Sequence, residues 1–312
     1  MPVSSKQACA SVVAAVAALV LSACGASAAS DPASARCARP PATLGKVAAF
    51  SDHREIPVRF TCARATLAAT LYLPRGPGRH PAAVWVHGSG PALRLGFPKG
   101  VLPELVRSGV AMLSWDKRGV GASTGTCCPG DRGHFNLLAA DVDGALNVLR
   151  ARRDIDRRRI GILGASQAGW IVPLAAARFG HPLAFTAMVD APAVSYGEEH
   201  LYSRLTGEEG GTPSGLSPAQ IDQRLDQAGP SGFDPRPYLA RMTSRGLWLY
   251  GGRDLSQPTD RSVAILKHLK RTRARKFSTR VFSEAGHGLL DLPPSDPRAL
   301  PTLVRWVHKQ VR

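Results

Sequence analysis

The sequence predicts an α/β protein with a mostly parallel central sheet and helices on both faces. From about residue 42 onward, short apolar runs alternate with amphipathic stretches, which is typical of repeated strand–helix–strand units. The 312 residues suit one large domain or two small ones, and the 31 Gly and 25 Pro residues indicate many loops. With 44% apolar and 20% charged residues, the chain is neither disordered nor a coiled coil.

The individual strands and helices follow from the apolar patterns. Strands are predicted at 47–50, 66–73, 82–86, 110–115, 160–163, 183–189, 246–250 and 276–282. Helices are predicted at 102–108, 136–150, 167–178, 258–269 and 300–311. Right-handed crossovers place these helices on both faces of the sheet. The loops at the carboxyl ends of the strands then gather at one edge, where open α/β sheets bind ligands.

Residues 195–245 interrupt this alternation and are predicted to form a small inserted cap. Ser217-Pro218-Ala219-Gln220 is a capping box with Pro at the first helical position, and a second helix is expected at 196–205. Structureless loops of this length are rare in compact domains and usually serve a function, so we expect a cap over the site. The α/β core then comprises residues 42–194 and 246–312.

The N-terminus has the features of a targeting segment. Lys6 precedes an apolar run at 10–21, which is too short to span a bilayer, and Leu21-Ser22-Ala23-Cys24 resembles the bacterial lipobox. We expect a signal peptide at 1–23, a lipid anchor at Cys24 and a linker at 24–41. Ala26-Ser27-Ala28 offers an ordinary signal-peptidase site as the alternative. Either way the mature chain lies outside the cytoplasm, in the bacterial envelope as a membrane-anchored lipoprotein, or secreted or periplasmic.

Four cysteines lie in the body of the chain, and an oxidising compartment would allow them to pair. We favour Cys37–Cys62, which would join the N-terminal segment to the first strands. Cys127 and Cys128 are then either free or form a vicinal bridge. No Cys or His spacing is typical of a zinc site, so no metal is expected.

The net charge of +17 by itself suggests an anionic partner. Its densest runs, 150–159 and 267–276, precede strands and therefore fall at the edge opposite the carboxyl-end loops. They contain no interleaved aromatic residues, and no nucleic-acid-binding motif is present. We therefore expect a solvated face, with contact to anionic lipid as an alternative, and no nucleic-acid partner.

A serine lies in the turn between a predicted strand and helix. Gly164-Ala165-Ser166-Gln167-Ala168-Gly169 follows the strand at 160–163, as a nucleophile elbow does. Small neighbours allow the strained turn that raises the hydroxyl of Ser166 above the sheet. Ala168 stands where G-x-S-x-G has its last Gly, and Ala is still small enough. The alternative is a serine that only caps the helix.

An acid and a histidine follow two later strands. Asp254 comes after the strand at 246–250, and His287 lies in a Gly-flanked loop after the strand at 276–282. The chain order is Ser, Asp, His, with gaps of 88 and 33 residues. Asp190 also ends a strand and is the alternative acid, whereas Asp291 has the setting of a solvated turn residue.

From about Leu67 to the C-terminus the sequence resembles the α/β-hydrolase superfamily. His87-Gly88-Ser89-Gly90 looks like its H-G-x-G oxyanion segment, and the eight residues from Asp116 to Ser123 look like its D-x-R-G-x-G-x-S turn. Ser166-Gln167-Ala168-Gly169-Trp170 with Pro173 is similar to S-Q-G-G-W-x-x-P in bacterial esterases related to dienelactone hydrolases and acyl-CoA thioester hydrolases. The resemblance implies an α/β-hydrolase fold. Dienelactone hydrolases proper use a Cys nucleophile, so their specificity is not carried over.

These residue types suit acyl transfer. Ser166 would be the nucleophile, His287 the general base, and Asp254 the group that orients the imidazole. The backbone N–H of Gln167 and one from Gly88 or Ser89 would bind the oxyanion.

Three further residues near the oxyanion segment have expected roles. His87 is expected to hold the oxyanion loop. Asp116 is expected to be structural, pairing with nearby backbone or Arg118. Arg94 either holds the loop or binds a substrate carboxylate.

The expected function is that of a serine esterase acting on a small-molecule carboxylic ester, without a cofactor. A serine peptidase or a thioesterase is the alternative on the same triad, because the triad handles any acyl transfer. An envelope binding protein that has lost catalysis is the alternative from another class. The sequence leaves the oligomeric state open.

Overall fold

The computed structural model describes Cys37 and residues 43–95, 100–130, 132–208, 211–291 and 293–312, without the side chains of residues 132 and 133. The predicted signal peptide, the anchor site Cys24 and nearly all of the linker lie outside the described residues and stay predictions. Within the described ranges, no helix is long and apolar enough to cross a membrane.

One sheet of ten strands organises the described chain. The strands are β1 (Thr43–Leu44), β2 (Ala48–Ala49), β3 (His53–Cys62), β4 (Ala65–Pro74), β5 (His80–Val86), β6 (Ala111–Trp115), β7 (Ile155–Ala165), β8 (Phe185–Val189), β9 (Arg245–Gly251) and β10 (Phe277–Phe282). Their order is β1-β3-β4-β6-β5-β7-β8-β9-β10, with β2 beside β3. The pairs from β6 to β10 are parallel, and those among β1 to β4 and between β4 and β6 are antiparallel.

Helices cover both faces of this sheet. They are α1 (Val101–Arg107), α2 (Arg132–Ala151), α3 (Ala168–Phe179), α4 (Tyr196–Thr206), α5 (Pro218–Ala228), α6 (Arg236–Leu239), α7 (Thr259–Thr272) and α8 (Ala299–Val311). Consecutive strand residues supply opposite faces: Val84 joins the apolar core beneath α2 and α3, whereas Trp85 joins the core beneath α1 and α8. Strands buried on both faces explain the continuous apolar runs of the sequence.

The sequence analysis missed β3 and placed the start of β7 too late. In β3, Ile56, Val58 and Phe60 are buried and alternate with polar residues, which is a strand signal. Pro57 in the middle of that run argues against a strand, yet the structure tolerates it there. β7 starts at the buried Ile155, and four charged residues, of which Arg157 and Arg158 are exposed, separate it from the apolar part of the strand. This charged stretch hid the start of the strand.

The segment 195–245 carries three helices, α4, α5 and α6, between β8 and β9. Ser217 and Gln220 form the predicted capping box, and Ser195 and Glu198 form a second one at the start of α4. These reciprocal bonds satisfy backbone N–H groups that a helix start leaves free. The helices predicted in this segment are therefore present.

The two basic runs lie where their sequence positions predict. Residues 150–159 join the end of α2 to β7, and residues 267–276 join the end of α7 to β10. Both lie at the amino ends of parallel strands, opposite the carboxyl edge. Part of the charge is neutralised locally, since Arg152 pairs with Asp154 and Arg159 with Asp156.

A disulfide joins Cys37 to Cys62, as predicted. Cys62, at the end of β3, is fully buried, so the bond ties the N-terminal segment to the core. Cys127 and Cys128 are adjacent in the chain, and whether they are free or form a vicinal bridge stays a prediction.

We predict that Cys37→Ser lowers the free energy of unfolding by about 3 kcal/mol, because the bond closes a loop of 25 residues in the unfolded chain. Urea unfolding of the two proteins measures this difference. A reducing agent should remove most of this difference, because it breaks the Cys37–Cys62 bond only in the wild type. Equal stability of the oxidised proteins would contradict the prediction.

Candidate active site

The candidate site lies where the strand order reverses. β5 has β6 on one side and β7 on the other, and all three strands are parallel. Their carboxyl ends therefore release three loops at one place, the topological switch point of the sheet. These loops carry His87 to Gly90, the turn at Asp116, and Ser166.

Ser166 occupies a strained turn between β7 and α3. Its φ is 51°, in the left-handed region that non-Gly residues rarely adopt. The turn is held by hydrogen bonds from Ser166 N–H to the Val189 carbonyl (3.0 Å) and from Gly169 N–H to the Ser166 carbonyl (2.9 Å). This is the backbone conformation that a nucleophile elbow requires.

The Ala in place of the motif's last Gly fits this turn. The methyl of Ala168 is fully buried and lies only 2.5 Å from where a Cβ on Gly164 would be. Because Gly164 has no Cβ, the turn has room for that methyl. Gly169 in turn packs against the backbone of Pro192, so the glycine requirement is met one residue later.

His287 and Asp254 are hydrogen-bonded to each other. His287 Nδ1 donates to Asp254 Oδ2 at 2.8 Å, and the carboxylate side chain is fully buried. Asp254 Oδ1 also accepts from the N–H groups of Ser256 (2.8 Å) and Gln257 (3.2 Å). The proton is therefore on Nδ1 of the neutral imidazole, and Nε2 is left as the basic nitrogen.

Asp190 connects the turn of Ser166 to the loop of His287. It follows Val189, the residue that accepts from Ser166, and its Oδ2 accepts from the N–H groups of Gly288 (3.1 Å) and Leu289 (2.9 Å). Among the residues that the structure describes, Ser166 Oγ and His287 make no direct hydrogen bond. Such bonds are often long in unliganded enzymes and tighten when substrate binds.

Asp190 is thus a structural carboxylate rather than the partner of the imidazole. Its Oδ1 also accepts from Gly251 N–H at 3.3 Å, so it joins the ends of β8 and β9 to the His287 loop. Burial raises the pKa of Asp190 to about 7, against the opposing effect of His287. The alternative in which Asp190 orients His287 finds no support in these contacts.

The charges around His287 favour its protonated form. Burial alone disfavours the imidazolium, but the hydrogen bond and charge of Asp254, with the more distant Asp190, outweigh burial and raise the pKa of His287 to about 9.

The pKa of His87 shifts in the opposite direction: burial lowers it to about 4, and Nε2 of the ring donates to the Trp115 carbonyl at 2.7 Å. His87 therefore holds the loop as a neutral ring, as predicted.

The oxyanion segment packs directly against the serine. A Cβ on Gly88 would lie 3.3 Å from Cβ of Ser166, so the close approach favours glycine there. In the described part of the chain, the backbone N–H groups of Gln167, Gly88 and Ser89 donate to no protein acceptor. These N–H groups are free to bind an oxyanion.

Arg94 and Asp116 stabilise the neighbouring turn. The guanidinium of Arg94 pairs with Asp116 Oδ2, and Arg94 N–H donates to Asp116 Oδ1 at 2.8 Å. This geometry favours the loop-holding role of Arg94, and its contact with a substrate stays a prediction. Arg118 pairs with Asp141 instead of Asp116. Asp116 is nevertheless structural, as expected.

The sequence analysis missed two contacts between α4 and the acid loop. Tyr202 Oη donates to the Asp254 carbonyl at 3.0 Å, and Thr206 Oγ1 donates to the Leu255 carbonyl at 2.5 Å. Their i, i+4 spacing places both residues on one helix face, but spacing alone does not reveal the partner. The inserted segment therefore touches the loop that holds the acid.

Within the described ranges, no group of three or more His, Cys, Asp or Glu side chains is arranged to hold a metal ion. The chemistry available at the site is that of a hydroxyl, an imidazole and a carboxylate.

The fold resembles solved hydrolase structures. An acetyl xylan esterase from a Thermoanaerobacterium species matches with a TM-score of 0.62 and 19% identity, over 87% of this chain and 88% of that one. An esterase from Pyrococcus furiosus matches with a TM-score of 0.62 and 15% identity, over 83% of this chain and 91% of that one. An acylaminoacyl peptidase from Pyrococcus horikoshii matches with a TM-score of 0.60 and 16% identity, over 84% of this chain and 42% of that one. No protein-family model and no curated protein matches the chain. The predicted α/β-hydrolase fold is confirmed.

We predict that Asp190→Asn gains stability relative to wild type as the pH rises. The pKa of Asp190 is about 7 in the folded protein, against the ordinary value of 3.8 for the unfolded chain. Proton binding by Asp190 therefore stabilises the folded state fully below pH 3.8, and this stabilisation is lost as the pH rises to about 7. The difference in unfolding free energy should change by up to about 1.4 kcal/mol per pH unit in this window. Urea unfolding at several pH values measures it. Asp291→Asn, at an exposed position of the His287 loop that Asp190 contacts, is the control, and a flat difference for Asp190→Asn would contradict the prediction.

We also predict that the imidazole of His287 titrates near pH 9, whereas that of His87 titrates near pH 4. NMR spectra of the ring protons across a pH series measure both. Asp254→Asn should lower the pKa of His287 by removing the hydrogen-bonded charge that offsets burial. An unchanged His287 titration in that variant would show that Asp254 does not set it.

Proposed function

We propose that the protein is a serine hydrolase that cleaves carboxylic esters of small or medium acyl groups. The observation that carries this proposal is the buried Asp254 bonded to His287 Nδ1, at the same sheet edge as the left-handed turn of Ser166. An oriented base, a hydroxyl on a strained turn and free backbone N–H groups are the components of acyl transfer.

In the first step, Ser166 Oγ attacks the ester carbonyl carbon and passes its proton to Nε2 of His287. Asp254 stabilises the imidazolium that forms and keeps the ring oriented. This step requires Ser166 Oγ and His287 Nε2 to come within hydrogen-bond distance when substrate binds, and that approach is part of the proposal. The base must be neutral to accept the proton, so activity should rise with pH toward the pKa of His287.

The negative charge of the tetrahedral intermediate develops on the former carbonyl oxygen. The N–H groups of Gln167 and of Gly88 or Ser89 would bind it, and loss of one such donor typically costs about 3–4 kcal/mol of transition-state stabilisation. The imidazolium of His287 then protonates the leaving alcohol as the carbon–oxygen bond breaks. Water, activated by the same imidazole, hydrolyses the acyl-enzyme and regenerates Ser166.

The likeness to an acetyl xylan esterase and an esterase supports ester hydrolysis as the first choice. The likeness to an acylaminoacyl peptidase keeps a serine peptidase as the second candidate, and the same triad serves thioesters. No step of this chemistry uses a cofactor.

Two further expectations stay proposals. We propose that residues 195–245 act as a cap that shapes the substrate pocket, supported by the bond from Tyr202 to the Asp254 carbonyl. We also propose that Cys24 carries a lipid anchor that holds the enzyme at the bacterial envelope, which is supported by the lipobox-like residues alone.

We predict that Ser166→Ala abolishes hydrolysis of p-nitrophenyl acetate and labelling by a fluorophosphonate probe. The substitution removes only the hydroxyl of a partly buried side chain and keeps the turn, so the melting temperature should stay almost unchanged. Ser256→Ala, in the Asp254 loop, is the matched control and should keep both activities. Labelling that persists in Ser166→Ala would reject the nucleophile, and an unlabelled wild type would favour a catalytically silent binding protein.

A substrate panel then separates the hydrolase classes. p-Nitrophenyl esters of increasing acyl length, acyl-CoA thioesters and N-acylated peptides should be compared by kcat/KM. We expect the highest values for short esters. A preference for peptides or thioesters by more than about tenfold would assign the same triad to the corresponding alternative.

A further inference from the structure

A buried lysine joins the three loops of the site. Lys117 lies in the turn after β6 and is only 2% exposed. Its Nζ donates to the carbonyls of Gly88 (2.7 Å) and Gly90 (3.1 Å), which follow β5. It also donates to Oε1 of Gln167 (2.8 Å), which follows β7. One ammonium group thus contacts both loops that supply the candidate oxyanion donors.

The surroundings of Lys117 are unusual for a buried cation. An ammonium group has three donors, and these three oxygens use all of them. In the described part of the chain no carboxylate forms an ion pair with Lys117, and burial lowers its pKa to about 8. A buried charge without a counter-ion is costly, so its three bonds must be well formed for the group to remain charged.

The bond to Gly88 determines the direction of the next N–H. In a planar trans peptide the carbonyl and the following N–H point in opposite directions. Because the Gly88 carbonyl points at Lys117, the N–H of Ser89 points away from it. The positive charge also polarises this peptide group, which makes Ser89 N–H a stronger donor.

The bond to Gln167 fixes the other side of the site. Gln167 is 4% exposed and follows Ser166 at the start of α3, so its backbone N–H is the second candidate donor. Anchoring its side chain to the same ammonium keeps the distance between the β5 loop and the β7 turn constant. Preset donors of this kind need no reorganisation when charge develops.

We propose that Lys117 is a positioning residue that aligns the two halves of the oxyanion hole, the β5 loop and the β7 turn. The catalytic part of this inference rests on the proposed serine hydrolase function. The D-x-R-G-x-G-x-S motif leaves this position unspecified, since Lys117 occupies its first x. The positive charge of Lys117 also stabilises the oxyanion through space, without a direct hydrogen bond.

The test uses the full chain with Lys117→Met, which keeps the length and apolar stem of the side chain and removes the charge and the donors. We expect kcat for p-nitrophenyl acetate to fall by about 10- to 100-fold, with KM within about twofold, because misaligned donors weaken transition-state binding. The backbone ¹⁵N order parameters of residues 87–90 should fall from about 0.85 to below about 0.6, with those of the core strands unchanged.

Ser123→Ala is the matched control. It removes hydrogen bonds of the Ser123 hydroxyl to the Asp116 carbonyl and from Ala68 N–H, and therefore weakens the same turn without touching either loop. A merely structural effect of Lys117 would appear in this variant too. We expect it to lower the melting temperature and to keep kcat and the order parameters of residues 87–90 near wild-type values.

Gln167→Met carries the test if Lys117→Met does not fold, since it keeps the backbone N–H and removes one acceptor. It should lower kcat less than Lys117→Met, and the double variant should resemble Lys117→Met alone, because both changes break one connection. Unchanged order parameters and kcat in Lys117→Met, or in Gln167→Met where that variant replaces it, would overturn the inference.

The same experiments separate this inference from the proposed function. A wild type that hydrolyses no ester rejects the proposed function and, with it, a catalytic role for Lys117. The order parameters of residues 87–90 would then still decide whether Lys117 aligns the loop. A full loss of activity with unchanged order parameters would leave the proposed hydrolase function standing and reject the alignment.

Discussion

The position of β5 between two parallel neighbours determines where the chemistry of this protein takes place. β6 and β7 flank β5 on opposite sides. The loops that follow these three neighbouring strands therefore diverge at the carboxyl edge of the sheet, and a crevice forms between them. The oxyanion segment, the turn of Lys117 and the turn of Ser166 all start there. Each loop follows the buried carboxyl-terminal part of a strand, so the rigid sheet fixes the positions of the functional groups on these loops.

Buried charges then arrange the groups within this crevice. Asp254 orients the imidazole of His287, Asp190 holds the backbone just after it, and Lys117 holds the opposite loop. Each of these charges would be unfavourable alone, and each is compensated by hydrogen bonds to backbone or amide groups. The raised pKa values of His287 and Asp190 are the electrostatic consequence of placing two carboxylates and one imidazole close together out of water.

The local parts of the fold and site were predictable because each has a signal within a few residues. Ser166, Asp254 and His287 all stand in small-residue loops directly after apolar strands, and the capping box at Ser217 identifies a helix by itself. The strand β3 was missed because its alternating pattern is short and Pro57, which is rare inside strands, lies in the middle of it. Contacts such as Tyr202 with the Asp254 carbonyl have no local signature at all.

The sequence by itself determined the alternation of strands and helices, the sheet edge that carries function and the three residues to examine there. It favoured Asp254 over Asp190 as the acid, but both residues follow neighbouring strands, so the sequence could not show which carboxylate contacts the imidazole. Only the packing of the loops places Asp254 against the imidazole and Asp190 against backbone N–H groups. The role of Lys117 depends on the tertiary structure for the same reason, since its partners are 27 to 50 residues away along the chain and meet it only when the sheet has formed.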